Sequence, residues 1–234
     1  MNLENARALV TGGSSGIGQG IARALRDRGA RVAICGRDPA RLAAAAAELG
    51  VTGVRADVAR EEDVERMMGE VTDALGGLDV LVNNAGIGSF APLVETTAEE
   101  FRRVWEVNVL GAMLCARAAA RLFVRQGSGN IVNIASTSGL RAGPGGTSYA
   151  STKFALRGLS ESWRAEMRKH NVRVMLVNPS EVITEFFGRA GRTQQEDPTK
   201  LHPEEIAHAV VAMLEMADRG FIPELSVWAT NPSG

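Results

Sequence analysis

Tyr149 and Lys153 stand four residues apart in Tyr149-Ala150-Ser151-Thr152-Lys153, a spacing that puts a phenol and an ammonium on one helical face. A free phenol titrates near ~10 and is a poor proton carrier at neutral pH, but an ammonium beside it favours the phenolate and is expected to lower that value. The pair then makes a usable acid. Tyr149 is the only tyrosine of the chain, against seven phenylalanines, so the core does not need a phenol for bulk. Its plain alternative role is an exposed ring near a helix start. Ser136 lies thirteen residues earlier, at the end of an apolar run. Its hydroxyl could hold a carbonyl beside the acid, and it is also one hydroxyl among Ser136-Thr137-Ser138. Asn108 interrupts the apolar stretch Val104, Val107, Val109, Leu110, where a satisfied buried amide would serve equally well.

A second set of residues suits an anion. Thr11-Gly12-Gly13-Ser14-Ser15-Gly16-Ile17-Gly18 follows the apolar run Ala8, Leu9, Val10 and precedes the helical spacing of Ile21, Ala22 and Leu25. That is a strand, a glycine-rich turn and a helix start. Helix N-termini carry unpaired N–H groups and the positive end of the macrodipole, and glycine lets a pyrophosphate approach without meeting a Cβ. Gly12, Ser14, Ser15, Gly16, Ile17 and Gly18 are the candidate cradle. The alternative is an ordinary Gly/Ser turn. The second strand ends Cys35-Gly36-Arg37, and in dinucleotide folds a residue there chooses between ribose hydroxyl and ribose phosphate. Gly36 occupies the place of the usual acid, Asp38 before Pro39 reads as a helix cap, and Arg37 is expected to pair with a 2′-phosphate, favouring NADPH over NADH.

The elements that must position these residues alternate along the chain. Strands are expected at Ala8–Val10, Arg31–Cys35, Gly53–Ala56, Leu78–Val82, Asn130–Ala135, Val172–Val177 and Leu225–Trp228, with helices between them, including Glu61 to Leu75, Thr97 to Gln126, Tyr149 to His170 and Pro203 to Ala217. About seven strands alternating with about six helices predict an α/β fold: a single-domain, Rossmann-type, doubly wound parallel sheet with helices on both faces, spanning 1–234. Such sheets bind ligands at the carboxyl ends of their strands. Asp57 and Asn83-Asn84-Ala85-Gly86 fall at such ends, although both also suit simple turns.

Composition excludes several classes. A net charge of -1 offers no global field for nucleic acid or anionic membrane. No apolar run is expected to approach the roughly 20 residues of a spanning helix, and the chain is expected to be cytoplasmic. Cys35 and Cys115 sit among apolar residues and read as buried side chains. His170, His202 and His208 are scattered, so no metal site is expected.

Thr11-Gly12-x-x-x-Gly16-x-Gly18, Asn83-Asn84-Ala85-Gly86, Asn108, Ser136 and Tyr149-x-x-x-Lys153 occur in an order and at spacings that resemble the classical short-chain dehydrogenase/reductase family over nearly the whole chain. The resemblance implies that hydride passes from a nicotinamide to a carbonyl carbon while Tyr149 delivers a proton to the oxygen. It also implies that Lys153 holds the nicotinamide ribose and depresses the Tyr149 pKa, that Ser136 orients the carbonyl, and that Asn108 supports a water leading protons to Lys153. The same pattern implies Asp57 and Val58 at the adenine, Asn83, Ala85 and Gly86 along the cofactor backbone, and Pro179, Val182 and Thr184 near the carboxamide. One departure stands out: Ser180 follows Pro179 where the family usually has glycine, which matters if that position needs positive φ or close cofactor approach.

The branch that the sequence looks most like is bacterial 3-oxoacyl-[acyl-carrier-protein] reductase, without the glycine-rich ending of those enzymes. Arg121, Arg125, Arg168 and Lys169 could face an acidic acyl carrier protein or simply be solvated. The expected activity is NADPH-dependent reduction of a carbonyl, with a 3-oxoacyl thioester as one substrate class and other ketones, aldehydes or secondary alcohols as another. A non-catalytic NADP(H)-binding sensor on the same fold is the rival of another class. Substrate choice is expected from the segment after the sixth strand, where Phe186 and Phe187 could form an apolar lid whose motion Gly188, Gly191 and Pro198 bracket, or could equally be packing residues. The resemblance further implies a homodimer or homotetramer packed through the helices around 97 to 126 and 149 to 170.

Overall fold

The computed structural model describes residues 1–191 and 199–230, and only the backbone of Phe187 and Arg189. Pro198 and the Phe187 side chain therefore lie outside the described residues. Seven parallel strands form one sheet in the order β3-β2-β1-β4-β5-β6-β7. They are β1 (Arg7–Thr11), β2 (Arg31–Gly36), β3 (Thr52–Arg55), β4 (Val80–Asn83), β5 (Gly129–Ile134), β6 (Val172–Pro179) and β7 (Glu224–Val227). The central strands β4, β5 and β6 are buried along their whole length. Strands covered on both faces need largely apolar sequences rather than alternation, and these are mostly apolar, interrupted by the buried Asn130, Asn133, Arg173 and Asn178. The order reverses between β1 and β4, paired with Val10 opposite Val82. A crevice opens at such a switch point above the carboxyl ends.

The helices are α1 (Gly16–Asp27), α2 (Pro39–Leu49), α3 (Glu61–Leu75), α4 (Ala98–Trp105), α5 (Gly111–Gln126), α6 (Thr147–Met167), α7 (Phe186–Arg189) and α8 (Pro203–Glu215). Ile21, Leu25, Leu42, Ile206 and Val210 bring α1, α2 and α8 onto one face of the sheet. Val64, Met67, Val71, Leu114 and Phe123 bring α3 and α5 onto the other. Local chemistry sets the ends: Asp38 Oδ1 accepts from Arg41 N at 3.0 Å with Pro39 in the first turn, and Thr97 Oγ1 accepts from Glu100 N at 3.1 Å. Cys35 and Cys115 are free and buried, and burial pushes the Cys35 thiol up to about 11.

Two expectations about the long helix need correction. Thr97 to Gln126 is not one regular helix, because a π-helical turn at Glu106–Leu110 separates α4 from α5. The run Ala98–Gln126 is also long and apolar enough to span a membrane by composition. Its residues Leu114, Cys115, Ala119 and Phe123 are buried against α3 and the sheet, as in a core helix.

Candidate active site

The glycine turn after β1 is seated on the loop after β4. Gly12 has φ +64°, and a Cβ there would lie 2.9 Å from Ala85 Cα. Thr11 Oγ1 accepts from Asn84 N and Ala85 N, each at 3.0 Å. The Asn84 amide returns bonds to Thr11 O at 3.0 Å and Gly12 O at 3.2 Å. Gly16, φ +54°, opens α1 and would place a Cβ 3.2 Å from Thr184 Cγ2. The turn thus meets the segment after β6. Ser15 stands at the N-cap position of α1, whose first turn holds no acidic residue, so the positive end of the helix is left uncompensated by its own side chains. A Cβ on Gly36 would meet the Ser14 hydroxyl at 3.0 Å, which sets Ser14 beside the end of β2. These close approaches fit a dinucleotide's phosphates.

At the adjoining strand ends a cavity of about 450 Å³ is lined by Arg37, Arg55, Ala56, Asp57, Arg60, Asp63 and Arg66. Arg37 is 55% exposed, with Nη1 3.9 Å from Asp57 Oδ2. Asp57 Oδ1 accepts from Ala59 N at 3.1 Å, and Asp57 N donates to Asp63 Oδ2 at 2.9 Å. That backbone bond, with Arg66 second, holds the Asp63 carboxyl below its ordinary range. Arg66 is committed to Asp63 and Glu70, and Arg37, Arg55 and Arg60 are the other cations of the lining, beside the carboxylates of Asp57 and Asp63. The sequence reading missed Arg55 and Arg60; the signal for Arg55 was its parallel register opposite Gly36.

Ser136, at the N-cap of a short turn after β5, accepts from Ser138 N at 3.1 Å. Its hydroxyl lies beside the Tyr149 phenol and favours the ionised form of that ring. Tyr149 lies in the first turn of α6, which starts at Thr147 rather than at Tyr149. Lys153 is buried, donates to Ile134 O at 3.0 Å, and has Nζ 5.5 Å from the Tyr149 ring centroid.

The electrostatics reverse one expectation. Burial pushes the Tyr149 phenol up to about 12, opposed by the Ser136 hydrogen bond. Burial also lowers Lys153 to about 8. Desolvation disfavours each charged form, and here it outweighs the attraction expected between phenolate and ammonium.

Asn108 sits in the π turn, a device frequent at functional sites. Its Oδ1 accepts from Ile87 N at 2.8 Å, while Nδ2 donates to Ile87 O at 2.9 Å and Thr152 Oγ1 at 3.0 Å. The side chain clamps the β4 loop to α6 one residue before Lys153.

Three expected cofactor residues turn their side chains inward. Asn83 donates to Ala112 O and Asn133 Oδ1 at 3.1 and 3.0 Å inside the protein. Val58 packs under Gly111, and Val182 joins the core beside α8. Only their main chains can face the crevice, as can those of Ala85, Gly86 and Pro179 at the strand ends. The side chain of the motif that joins the β4 loop to the glycine turn is Asn84, to which the sequence assigned no separate role.

A family model described as short chain dehydrogenase matches residues 6–195. The chain belongs to the short-chain dehydrogenase family. An uncharacterized oxidoreductase of Staphylococcus aureus is 32% identical over 223 residues, 94% of this chain and 95% of that protein. Carbonyl reductase family member 4 of Xenopus tropicalis is 35% identical over 215 residues, 88% of this chain and 89% of that one. An alcohol dehydrogenase from the archaeon Thermococcus sibiricus, solved with 5-hydroxy-NADP, superimposes with a TM-score of 0.87 at 34% identity, covering 97% of this chain and 98% of its own.

This short-chain dehydrogenase accommodates Ser180 without backbone strain. Among the described residues, the non-glycine positions with positive φ are Asn5 and Asn171. Ser180 N donates to Val227 O at 2.9 Å, and its Oγ accepts from Ala229 N at 3.3 Å. The hydroxyl ties down the segment after β7.

Proposed function

We propose that this short-chain dehydrogenase is an NADP(H)-dependent carbonyl reductase, one domain over 1–234, working in the cytoplasm on small ketones or aldehydes. The observation that carries the reading is the Tyr149 phenol set beside Ser136 and buried Lys153, at the same strand ends as the glycine turn and Thr184. When bound, NADPH supplies the hydride for the carbonyl carbon. Arg37, with Arg55 and Arg60 in the same cavity, pairs with the 2′-phosphate, and the α1 N-terminus takes the pyrophosphate. Asp57 and the main chain of Val58 border the adenine. The main chains of Asn83, Ala85 and Gly86 run along the cofactor, and Pro179, Val182 and Thr184 flank its carboxamide.

Ser136 holds the substrate oxygen beside Tyr149, and the fixed approach of donor and acceptor lowers the barrier. A phenol near 12 keeps its proton at neutral pH, so it stands ready to protonate an oxygen as charge develops, which suits reduction. Lys153 has one N–H on Ile134 O and directs others to the ribose hydroxyls. With both N–H groups of the Asn108 amide engaged, a water held by that residue on the way to Lys153 would have to donate to one of its oxygens.

The test follows NADPH oxidation with acetoacetyl thioester and a panel of simple ketones, for wild type and Tyr149→Phe. The variant is expected to bind NADPH and lose roughly 10²-fold or more in kcat. Turnover with the thioester supports the 3-oxoacyl reading, and turnover with other carbonyls alone discards it. NADPH binding with no turnover of any carbonyl leaves the sensor.

A homo-oligomer belongs to the same proposal. Leu110 beside α5 and Phe154 on α6 are 40% and 43% exposed, apolar surface suited to a second copy.

A further inference from the structure

The proton donor of the site is enclosed by aromatic rings from two other parts of the chain. The Phe90 ring, in the loop between β4 and α4, lies 5.2 Å from that of Tyr149, tilted by 52°. Phe186, at the start of α7, lies 5.5 Å from it, tilted by 56°. These are favourable tilted contacts. The two phenylalanines also converge on one point, since a Cβ at Gly88 would lie 2.8 Å from Phe90 Cε2 and 3.0 Å from Phe186 Cε1. Ala91 N donates to Gly145 O at 3.2 Å, tying the Phe90 loop to the loop before Tyr149. Along the same loop Leu93 and Val94 are 74% and 93% exposed. Two apolar rings thus pack against the ring of the proton donor.

On the reductase reading above, we propose that Phe90 and Phe186 form an aromatic clamp that selects carbonyl compounds carrying a phenyl-type ring on their tail over those with a charged tail. A substrate oxygen reaches Tyr149 only if these rings part around the group attached to the carbonyl. A phenyl group replaces the ring contacts it disrupts, edge to face, whereas a carboxylate replaces none and loses its hydration.

The experiment compares two methyl ketones that differ in their tails, 4-phenylbutan-2-one and 4-oxopentanoate, with NADPH. Wild type is expected to favour the phenyl ketone by about tenfold or more in kcat/KM, the order that two aromatic contacts supply. Phe90→Leu and Phe186→Leu keep an apolar side chain while removing the ring. Each is expected to shrink that preference by about threefold or more, mainly through the KM of the phenyl ketone. A residue that merely supported Tyr149 would instead lower kcat for both ketones alike. A wild-type preference near unity, or variants whose preference stays within about twofold of wild type, overturns the clamp while leaving the reductase intact. Absence of turnover with every ketone removes the reductase reading and the clamp together.

Discussion

Replacing Lys153 by methionine should stabilise the cofactor-free protein at neutral pH while abolishing its activity. The ammonium is buried, and its pKa falls from the ordinary 10.5 to about 8 because burial disfavours the charge. At about 1.36 kcal/mol per pH unit, that fall corresponds to about 3 kcal/mol of cost when the group is charged. Methionine removes this cost but leaves Ile134 O without its donor, a loss of about 1 kcal/mol. The net expectation at pH 7 is a gain of about 2 kcal/mol, or roughly 4 to 8 °C in Tm for a domain of this size.

The pH dependence gives the sign. Below pH 8 both folded and unfolded chains hold the lysine proton, and the wild type bears the full cost. Between 8 and 10.5 the unfolded chain holds a proton that the folded one has released, so wild-type stability rises with pH relative to the variant. By pH 10 the gap should have closed. Thermal unfolding of both proteins from pH 7 to 10, without nucleotide, measures it. A variant less stable than wild type at pH 7, or a gap that does not change with pH, refutes the reasoning.

Two further outcomes are expected. Arg37→Asp puts a second carboxylate beside Asp57 in place of the guanidinium, and the NADPH:NADH ratio of kcat/KM should fall by about tenfold or more, as for loss of a charge-assisted phosphate contact; an unmoved ratio assigns the phosphate elsewhere. Light scattering at micromolar concentration should give a dimer or tetramer, and a monomer would leave the exposed apolar residues of α5 and α6 in need of another explanation.

The parallel sheet was legible because strands covered on both faces must be largely apolar, and the centres of β4, β5 and β6 are, despite buried Asn130, Asn133, Arg173 and Asn178. The glycine turn and the Tyr149–Lys153 pair were legible for a local reason: each depends on residues within one or two helical turns. What the sequence hid was non-local. The Tyr149 pKa is governed by its enclosure, which includes the rings of Phe90 and Phe186, and no spacing rule brings those two beside it. Of the pair Asn83-Asn84, one amide faces the interior and the next holds the glycine turn; the alternation of a strand's side chains separates them, but which one faces inward depends on register. The π turn was hidden because the buried positions on either side of it still read as a helical stripe.

That turn also has a consequence for phase. Successive residues of an α-helix are rotated by about 100°, so the wider turn at Glu106–Leu110 shifts the angular origin of α5 relative to α4. Val104 before it and Leu114, Cys115 and Phe123 after it can all face the interior, while Asn108 between them points at Ile87 and Thr152. The turn works as a rotational offset that lets one continuous rod serve two alignments, the packing of the core and the aim of a polar strut. Removing one residue from it would restore a regular helix with α5 still in phase, and what would be lost is the aim of Asn108.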